Sequence, residues 1–446
     1  MVSQETSVYF SLSQQPESPH QLLLHIQIPS EPVTIMYHQA LSSIKRDIHT
    51  HGFVKGATPE SYIATTYKPL LIEHLKQFFF RHCVNAMLQK GIAEHKIITL
   101  CAPQPRQALI DPEKPAQFTF FVSTSPNPIK NEWKKLHFKA PGRKNYKDLD
   151  RQVDFFLKEE ERKQKESKKT AQTGEPFAAE TIAFHDWICL SIRLVNQEKK
   201  YLLNQLEQRV WVKIGEEEAD LQSQELFLGK KVGDSFITNN DFFQDAVSDD
   251  FSTHYLFEVT ILFHIPSHFF DIDRFKTYFR LKTAKETHQK LIEVFSFRHD
   301  ISQRRETVEK LFKLLFHHYP LQIDSDIIQQ QEKVVLARVQ ENPDYHVYKN
   351  QHDFKEKVSL LAEKQIKEIL FIDSIAYQEN IQATDEDMIN YLHLFKRPRT
   401  KEFVYFDIPH SRLNDQEISL CHEEIRRSCQ REKTLNYVLY YLTKKS

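Results

Sequence analysis

Glycine is scarce in this sequence, with only eight in 446 residues. Turn-dense folds use glycine where the backbone needs positive φ, so this scarcity argues against a β-rich chain throughout. The formal net charge is −1, so no global field attracts nucleic acid or a membrane, and any such contact would have to be local. The length predicts roughly three domains of ~150 residues each.

Three further absences bear on where the protein works. The five cysteines are dispersed and form no Cys-x-x-Cys pair, which is typical of reduced thiols in a cytosol. No uninterrupted apolar run approaches the ~18–20 residues that span a bilayer. No lysine or arginine precedes Lys45, so the N-terminus lacks the basic region of a signal peptide. We therefore expect a cytoplasmic protein with no membrane partner.

Common catalytic and metal-binding motifs are missing as well. No Gly-x-x-x-x-Gly-Lys-[Ser/Thr] loop and no Gly-x-Ser-x-Gly elbow occurs, which argues against nucleotide hydrolysis and serine hydrolase chemistry. The 22 histidines include His317-His318, and Cys421-His422 lies near Cys429. Neither group has a second pair at zinc-ligand spacing. We expect no metal site and no cofactor.

The hydrophobic pattern changes along the chain and divides it into four parts. Residues 1–128 are predicted to be an N-terminal α+β domain, and 129–177 a connector with a charged helix. Residues 178–266 are predicted to be a small β-rich module, and 267–446 to be helical. Within the connector, the run Glu159–Lys169 is predicted to be a solvated helix face.

Individual elements follow from the same periodicities. The predicted N-terminal strands are Ser7–Ser13, Gln21–Ile28, Lys96–Cys101 and Gln117–Ser123. Helices are predicted over Val33–Ile48 and 60–90. In the β-rich module the predicted strands are Ile188–Val195, Arg209–Ile214, Gly233–Ile237 and Tyr255–Phe263. Near the end of the chain, Thr384 and Asp387 form a capping box that predicts a helix start.

The loop Gly52–Pro59 concentrates two of the eight glycines in one octapeptide. Gly52 and Gly56 can take positive φ without steric cost, and Pro59 fixes φ near −65°. This composition predicts an exposed, pre-shaped loop that presents Phe53 and Lys55. The alternative is an ordinary connection between two helices, because glycine and proline punctuate most loops.

This loop and the helices around it resemble trigger factor, the bacterial ribosome-associated chaperone. The family's loop reads Gly-Phe-Arg-x-Gly-Lys-x-Pro, and both glycines, the phenylalanine, one lysine and the proline are present here. A C-terminal segment, Ala362–Leu370 followed by Gln382–Asp387, resembles the family's arm. The order of the four parts agrees too, so the resemblance spans nearly the whole chain.

The resemblance implies an α+β, multidomain, elongated molecule that shields emerging polypeptides without ATP. Its helical chaperone body, with arms, would be split in sequence, with 129–177 joining 267–446. Docking beside the nascent-chain exit tunnel would bring the loop against a ribosomal protein and adjoining ribosomal RNA. The docking residues would be Gly52, Phe53, Lys55, Gly56 and Pro59, with Lys45 and Arg46 on the preceding helix. Nascent or unfolded polypeptides would be the clients, and a homodimer away from the ribosome is kept as an alternative to a monomer.

Two loop positions depart from the family pattern. Val54 stands where the family has arginine, and Ala57 where it has a second lysine. Arginine can form a two-pronged contact with a phosphate or carboxylate, whereas valine offers neither charge nor donors. We expect docking that is weaker than is usual in the family and that depends mainly on Phe53 and Lys55.

The family's β-rich module is an FKBP-like domain, a type of peptidyl-prolyl isomerase that needs a precise apolar cup rather than titratable groups. Here the turn Leu228–Gly233 fits the family pattern, but Ala219, Asp220 and Ser223 replace apolar pocket residues. Six aromatic residues could line an altered pocket, although filling the core is the favoured reading: Trp187, Trp211, Phe227, Phe236, Phe251 and Phe257. We expect a degenerate pocket with weak or no isomerase activity.

Three alternatives stay open. The chain could be an active FKBP-type isomerase acting in folding, which the replacements at Ala219, Asp220 and Ser223 disfavour. A periplasmic chaperone of similar helical build is disfavoured by the missing signal peptide. A helical scaffold with no ribosomal link would be separated from the favoured reading by co-sedimentation with ribosomes.

Overall fold

The structure is a computed structural model with side chains. It describes residues 11–18, 20–125, 129, 131–142, 147–172, 181–203, 207–244, 246–248, 251–298, 301–342, 344–413 and 416–444.

The N-terminal domain is a four-stranded antiparallel sheet covered by helices. Its strands, in spatial order β1-β2-β4-β3, are β1 Ser11–Ser18, β2 Gln21–Ile28, β4 Ala116–Ser123 and β3 Gln104–Leu109. Its helices are α1 Ser30–Asp47, α2 Glu60–Thr66, α3 Lys68–Phe79 and α4 Asn85–Glu94, with a π-helical turn Phe80–Val84 between the last two. The alternating apolar residues of β2 face these helices, as predicted, because Leu24, Ile26 and Ile28 are fully buried.

Two predictions for this domain are wrong in part. The helix predicted over 60–90 is interrupted, because Pro69 lies in the first turn of α3, where its missing N–H is tolerated but could not continue α2. The segment Lys96–Cys101 is not a regular strand and makes one isolated bridge, Thr99 to Thr124. Its apolar alternation has another cause, since Ile98 and Leu100 pack against the helical part of the chain. The predicted strand Ser7–Ser13 lies partly outside the described residues, and β1 begins at Ser11.

The middle domain is a five-stranded antiparallel sheet. Its strands, in spatial order, are β15 Leu420–Cys421, β6 Gln208–Lys213, β5 Trp187–Val195, β10 Leu256–Ile265 and β7 Ser235–Thr238. A 3₁₀ turn Glu218–Asp220, the short helix α6 Leu221–Phe227 and a small hairpin, β8 Ala246–Ser248 with β9 Phe251–Ser252, complete it. The four predicted strands are confirmed within a few residues. The fifth, β15, was missed because a two-residue strand in a helical region leaves no periodic signal.

The remaining described chain is mainly helical. The helices are α5 Lys147–Gln172, α7 Ile272–Phe279, α8 Ala284–Phe295, α9 Gln303–His318, α10 Ser325–Gln340, α11 Tyr345–Tyr348, α12 Phe354–Gln378, α13 Asp385–His393, α14 Pro398–Lys401 and α15 His422–Lys444, with 3₁₀ turns Asn131–Lys135 and Leu394–Lys396. Two short hairpins pair β11 Phe297–Arg298 with β12 Ile301–Ser302, and β13 Arg412–Leu413 with β14 Gln416–Glu417. The predicted capping box at the start of α13 is confirmed. No helix in these described ranges is long and apolar enough to cross a membrane.

Residues of the connector pack into this helical body. Trp133 is fully buried and its ring contacts those of Tyr437 and Tyr441 on α15. Helix α5 packs on α7 and α8. Glu160 of α5 is only 3% exposed, accepts a hydrogen bond from the backbone N of Phe270 at 2.6 Å, and pairs with Arg397. The prediction of a solvated face over Glu159–Lys169 is therefore wrong at Glu160.

The molecule exposes more surface than a compact protein of its size. The accessible area is 24508 Å² for 52.9 kDa, against about 18,000 Å² expected for a compact fold. This excess agrees with the elongated α+β architecture. The domains nevertheless touch, because one continuous apolar core runs from the N-terminal domain into the middle sheet. The limits of the four predicted parts stay predictions.

Candidate functional site

The loop between α1 and α2 consists of two successive turns. The backbone N of Phe53 donates to the carbonyl of Thr50 at 3.0 Å, and that of Ala57 donates to Val54 at 2.9 Å. Each four-residue turn has glycine at its third position, Gly52 with φ +91° and Gly56 with φ +83°. A type II turn requires positive φ at that position. The two turns therefore explain why the glycines lie four residues apart.

The base of this loop is anchored and its tip is exposed. Ile48, which follows α1, and Thr58 are buried, and the Thr58 hydroxyl lies 3.1 Å from that of Thr50. At the tip, Val54 is 79% exposed and Phe53 is 41% exposed. Such a loop keeps its shape while presenting an apolar side chain to a partner, at little cost in ordering on binding.

The cations around the loop are not equivalent. Lys45 lies 3.2 Å from Glu60, which opens α2, so its charge is already partly neutralised. Arg46 and Lys55 are exposed, and in the described part of the chain neither has an ion-pair partner. The cationic character of the loop therefore comes from Arg46 and Lys55.

The N-terminal part of the chain is similar to a known protein family. Residues 11–159 match the family model described as bacterial trigger factor protein. A solved structure of the trigger factor chaperone, described for promiscuous substrate recognition in folding and assembly, is 13% identical, covers 96% of this chain and 99% of its own, and gives a TM-score of 0.36. Among the curated proteins, none matches the sequence.

The four predicted pocket residues of the middle domain do not come together in one cup. Ala219 is exposed, while Asp220 and Ser223 are buried beside it, and the Ser223 hydroxyl donates to the carbonyl of Asp220 at 2.9 Å. Trp211 packs with α13 and α15, whereas its strand neighbours Val210 and Val212 belong to the other core. Trp211 therefore lies on the face of the sheet away from α6.

Asp220 has a structural task in this arrangement. Its Oδ1 accepts a hydrogen bond from the backbone N of Glu417 at 2.9 Å, which ties the turn before α6 to the C-terminal hairpin β13–β14. Gly215 lies directly against it, because a Cβ added to Gly215 would fall 1.8 Å from Asp220 Oδ2. The carboxylate thus fills the space beside Gly215.

An aromatic cluster fills the space between α6 and β10. Phe227, fully buried, makes edge-to-face contacts with Phe236, Phe242 and Phe243, and the ring of Phe243 lies 5.8 Å from that of Phe257. Of the other predicted aromatics, Trp187 is buried on the face of Trp211, and the Phe251 side chain lies outside the described residues.

The N-terminal domain closes one side of this cluster. The ring of Phe78 lies 5.5 Å from that of Tyr255, and the ring of His82 stacks on Phe257 at 5.8 Å. His82 Nδ1 lies 2.6 Å from Gln208 Oε1 and His74 Nε2 lies 2.8 Å from the Tyr255 hydroxyl. Sequence reasoning missed this interface, because its partners are more than a hundred residues apart and show no shared periodicity.

Cys189, His422 and Asp385 form a row that superficially resembles a Cys–His–carboxylate triad. Cys189 Sγ lies 3.9 Å from His422 Nδ1, and His422 Nε2 lies 3.4 Å from Asp385 Oδ1. Trp211 Nε1 donates to the same Nδ1 at 3.2 Å, so the nitrogen that would act as base is already engaged. Burial raises the pKa of the Cys189 thiol and lowers the pKa of His422 to about 4. The row is a buried structural network rather than a nucleophilic site.

The remaining candidates for a metal site stay apart from one another. The rings of His317 and His318 lie 5.9 Å apart at the end of α9. Cys421 and Cys429 lie on either side of the first two turns of α15. Within the described ranges, no group of three or more His, Cys, Asp or Glu side chains could hold a metal ion.

The helical body offers two surfaces large enough for a polypeptide. A cleft of about 1130 Å³ lies between α7, α8 and α9 on one side and α13, α15 and the segment Asn380–Gln382 on the other, with aromatic, apolar and charged groups in its walls. Helices α10 and α12 pack along each other as an arm-like hairpin. Its exposed apolar side chains are Val334, Val347, Tyr348, Leu360 and Leu361.

Proposed function

We propose that this protein is a chaperone that docks at the ribosomal exit tunnel through the Gly52–Pro59 loop and shields newly made chains. The observation that carries the proposal is the loop tip, where two glycine turns on an anchored base hold Val54 in solvent. Phe53 beside it is 41% exposed, and its ring lies 6.3 Å from that of Tyr62. The match of residues 11–159 to the trigger factor family supports the same role.

The partner would be a ribosomal protein with an apolar depression, next to ribosomal RNA. Phe53 would insert into the depression, while Lys55 and Arg46 would meet carboxylates or phosphates. Because only these two cations are exposed without an ion-pair partner among the described residues near the loop, the logarithm of affinity should fall with the logarithm of salt by about two or less. Docking of this kind would place the protein in the cytoplasm.

Nascent and unfolded polypeptides would bind the helical body. The exposed apolar side chains of the α10–α12 hairpin and the mixed walls of the large cleft suit weak, reversible contact with many sequences. Release would need no nucleotide, because weak contacts exchange rapidly. Whether the protein forms a homodimer away from the ribosome stays a prediction.

Co-sedimentation with ribosomes tests the docking role. The variant Phe53→Ala/Lys55→Ala should lose about tenfold or more in affinity, because it removes both an apolar anchor and a charge. Phe155→Ala/Lys158→Ala is the matched control, since Phe155 is 69% exposed on α5 and Lys158 is exposed one turn later. Equal binding by the wild type and the loop variant would refute the role.

An FKBP-type isomerase acting in folding is the second candidate. The aromatic cluster between α6 and β10 favours it, because such clusters can hold a twisted prolyl bond. We propose that the activity is weak or absent, since Asp220 and Ser223 are committed to structural hydrogen bonds and the N-terminal domain closes one side of the cluster. Efficient isomerisation of a proline peptide by the full-length protein would contradict this.

A further inference from the structure

We propose that the segment Thr253–Tyr255 of the middle domain is a clamp that fixes the docking loop to the body of the molecule, with His254 as the positioning residue. The role of the clamp in orienting the loop rests on the proposed docking function, whereas the contacts that form the clamp do not depend on it. Two adjacent residues of this segment hold two different helices of the N-terminal domain.

His254 holds the end of α1, from which the loop departs. Its Nε2 lies 2.7 Å from Asp47 Oδ2, and its backbone N lies 3.4 Å from the hydroxyl of buried Ser43. Asp47 is the last residue of α1, where a negative charge is unfavourable against the helix dipole. The contact with the imidazole offsets that penalty and explains how an aspartate is tolerated there.

Tyr255 holds α3. Its hydroxyl lies 2.8 Å from His74 Nε2, and its ring packs edge-on against Phe78 at 5.5 Å. Because α1 and α3 flank the short helix α2 in sequence, the two contacts fix both sides of the loop's supporting framework.

The clamp is rigid on its own side. The Gln244 side chain accepts from the backbone N of Tyr255 at 3.0 Å and donates to the Tyr255 carbonyl at 2.8 Å, as a neighbouring strand would. It also accepts from the Thr253 hydroxyl at 2.9 Å. His254 is therefore presented on a braced backbone, and the restraint can pass through Asp47 and buried Ile48 to the first glycine turn.

Amide hydrogen exchange on the full-length protein measures the clamp directly. In His254→Ala, exchange of the hydrogen-bonded amides of Ile48, Phe53 and Ala57 should quicken about tenfold, as expected for loss of one charge-assisted hydrogen bond. His254→Gln should restore slow exchange, because its amide nitrogen can reach Asp47 as the imidazole Nε2 does. The control His410→Ala removes an exposed histidine 3.7 Å from Glu341 and should leave the loop unchanged.

Ribosome affinity supplies the second readout. His254→Ala should bind ribosomes about threefold to tenfold more weakly, because a less oriented loop loses more conformational entropy on binding. Its global free energy of unfolding should stay unchanged. Unchanged exchange in His254→Ala would overturn the clamp, and faster exchange with unchanged ribosome affinity would overturn its positioning role. Faster exchange in a protein whose wild type never binds ribosomes would support the clamp and refute the docking function instead.

Discussion

The Gly52–Pro59 loop and the turn before α6 both depart from the trigger factor pattern, but the departures have different consequences. In the loop, Val54 and Ala57 are predicted to replace cations, and both side chains are exposed. In the middle domain, Asp220 is predicted to replace an apolar residue, and its carboxylate holds the backbone of Glu417. The side chains of Val54 and Ala57 hold no other part of the fold in place, whereas the side chain of Asp220 does.

The role of glycine separates the same two regions. Gly52 and Gly56 have open space around them and are required by their positive φ. Gly215 has no such φ and is required by the carboxylate packed against it. Reversing the replacements should therefore be easy in the loop and costly in the middle domain. Three predictions test that difference.

The largest effect is expected from Asp220→Ile, which reinstates an apolar pocket residue. It should lower the free energy of unfolding by about 3 kcal/mol, because it leaves the buried Glu417 N–H unpaired and puts a branched side chain against Gly215. Urea unfolding of the full-length protein measures the loss. Asp220→Asn keeps an oxygen acceptor and should lose about 1 kcal/mol or less. If Asp220→Ile has wild-type stability and isomerises proline peptides, the claim that this replacement is costly to reverse is refuted.

The loop should respond in the opposite way. Val54→Arg/Ala57→Lys should tighten ribosome binding about tenfold and raise the salt dependence by about two, because two exposed cations are added. Stability should change by less than about 0.5 kcal/mol, as is usual at exposed sites. Binding at several salt concentrations provides the measurement.

A matched control for that gain is Val232→Arg. Val232 is 52% exposed in a turn of the middle domain, so the variant adds a cation far from the loop in sequence. Its ribosome affinity should stay at the wild-type value. If it binds as tightly as the loop variant, the gain reflects general attraction to RNA rather than docking through the loop.

The two regions also differ in how much of their structure could be predicted from the sequence. The glycine turns, the alternation in β2 and the capping box at Thr384 depend on neighbours within a few residues, so the sequence predicts them. The link from Asp220 to Glu417 joins positions 197 residues apart. No local sequence pattern predicts this hydrogen bond.

Contacts with distant parts of the fold also explain why two predictions from sequence periodicity are wrong. Glu160 belongs to a run of charges that predicts a solvated face, but the fold places its carboxylate over the backbone N of Phe270. Ile98 and Leu100 alternate as a strand would, yet they alternate because they pack on the helical body. In both cases the local pattern is real and its cause is a distant partner.

The smallest effect is expected from Gly52→Ala. A Cβ at φ +91° would strain the backbone by about 1 kcal/mol although nothing lies within 4 Å of it. The free energy of unfolding should fall by that amount or less, since the loop can relax, and ribosome affinity should fall because the relaxed turn no longer presents Phe53. Gly142→Ala is the control, since Gly142 also has open space but no positive φ, and it should be neutral in both measurements. If Gly52→Ala and Gly142→Ala have equal stability and equal ribosome affinity, positive φ is not the reason for glycine at position 52. The contrast between Gly52 and Gly215 would then be refuted.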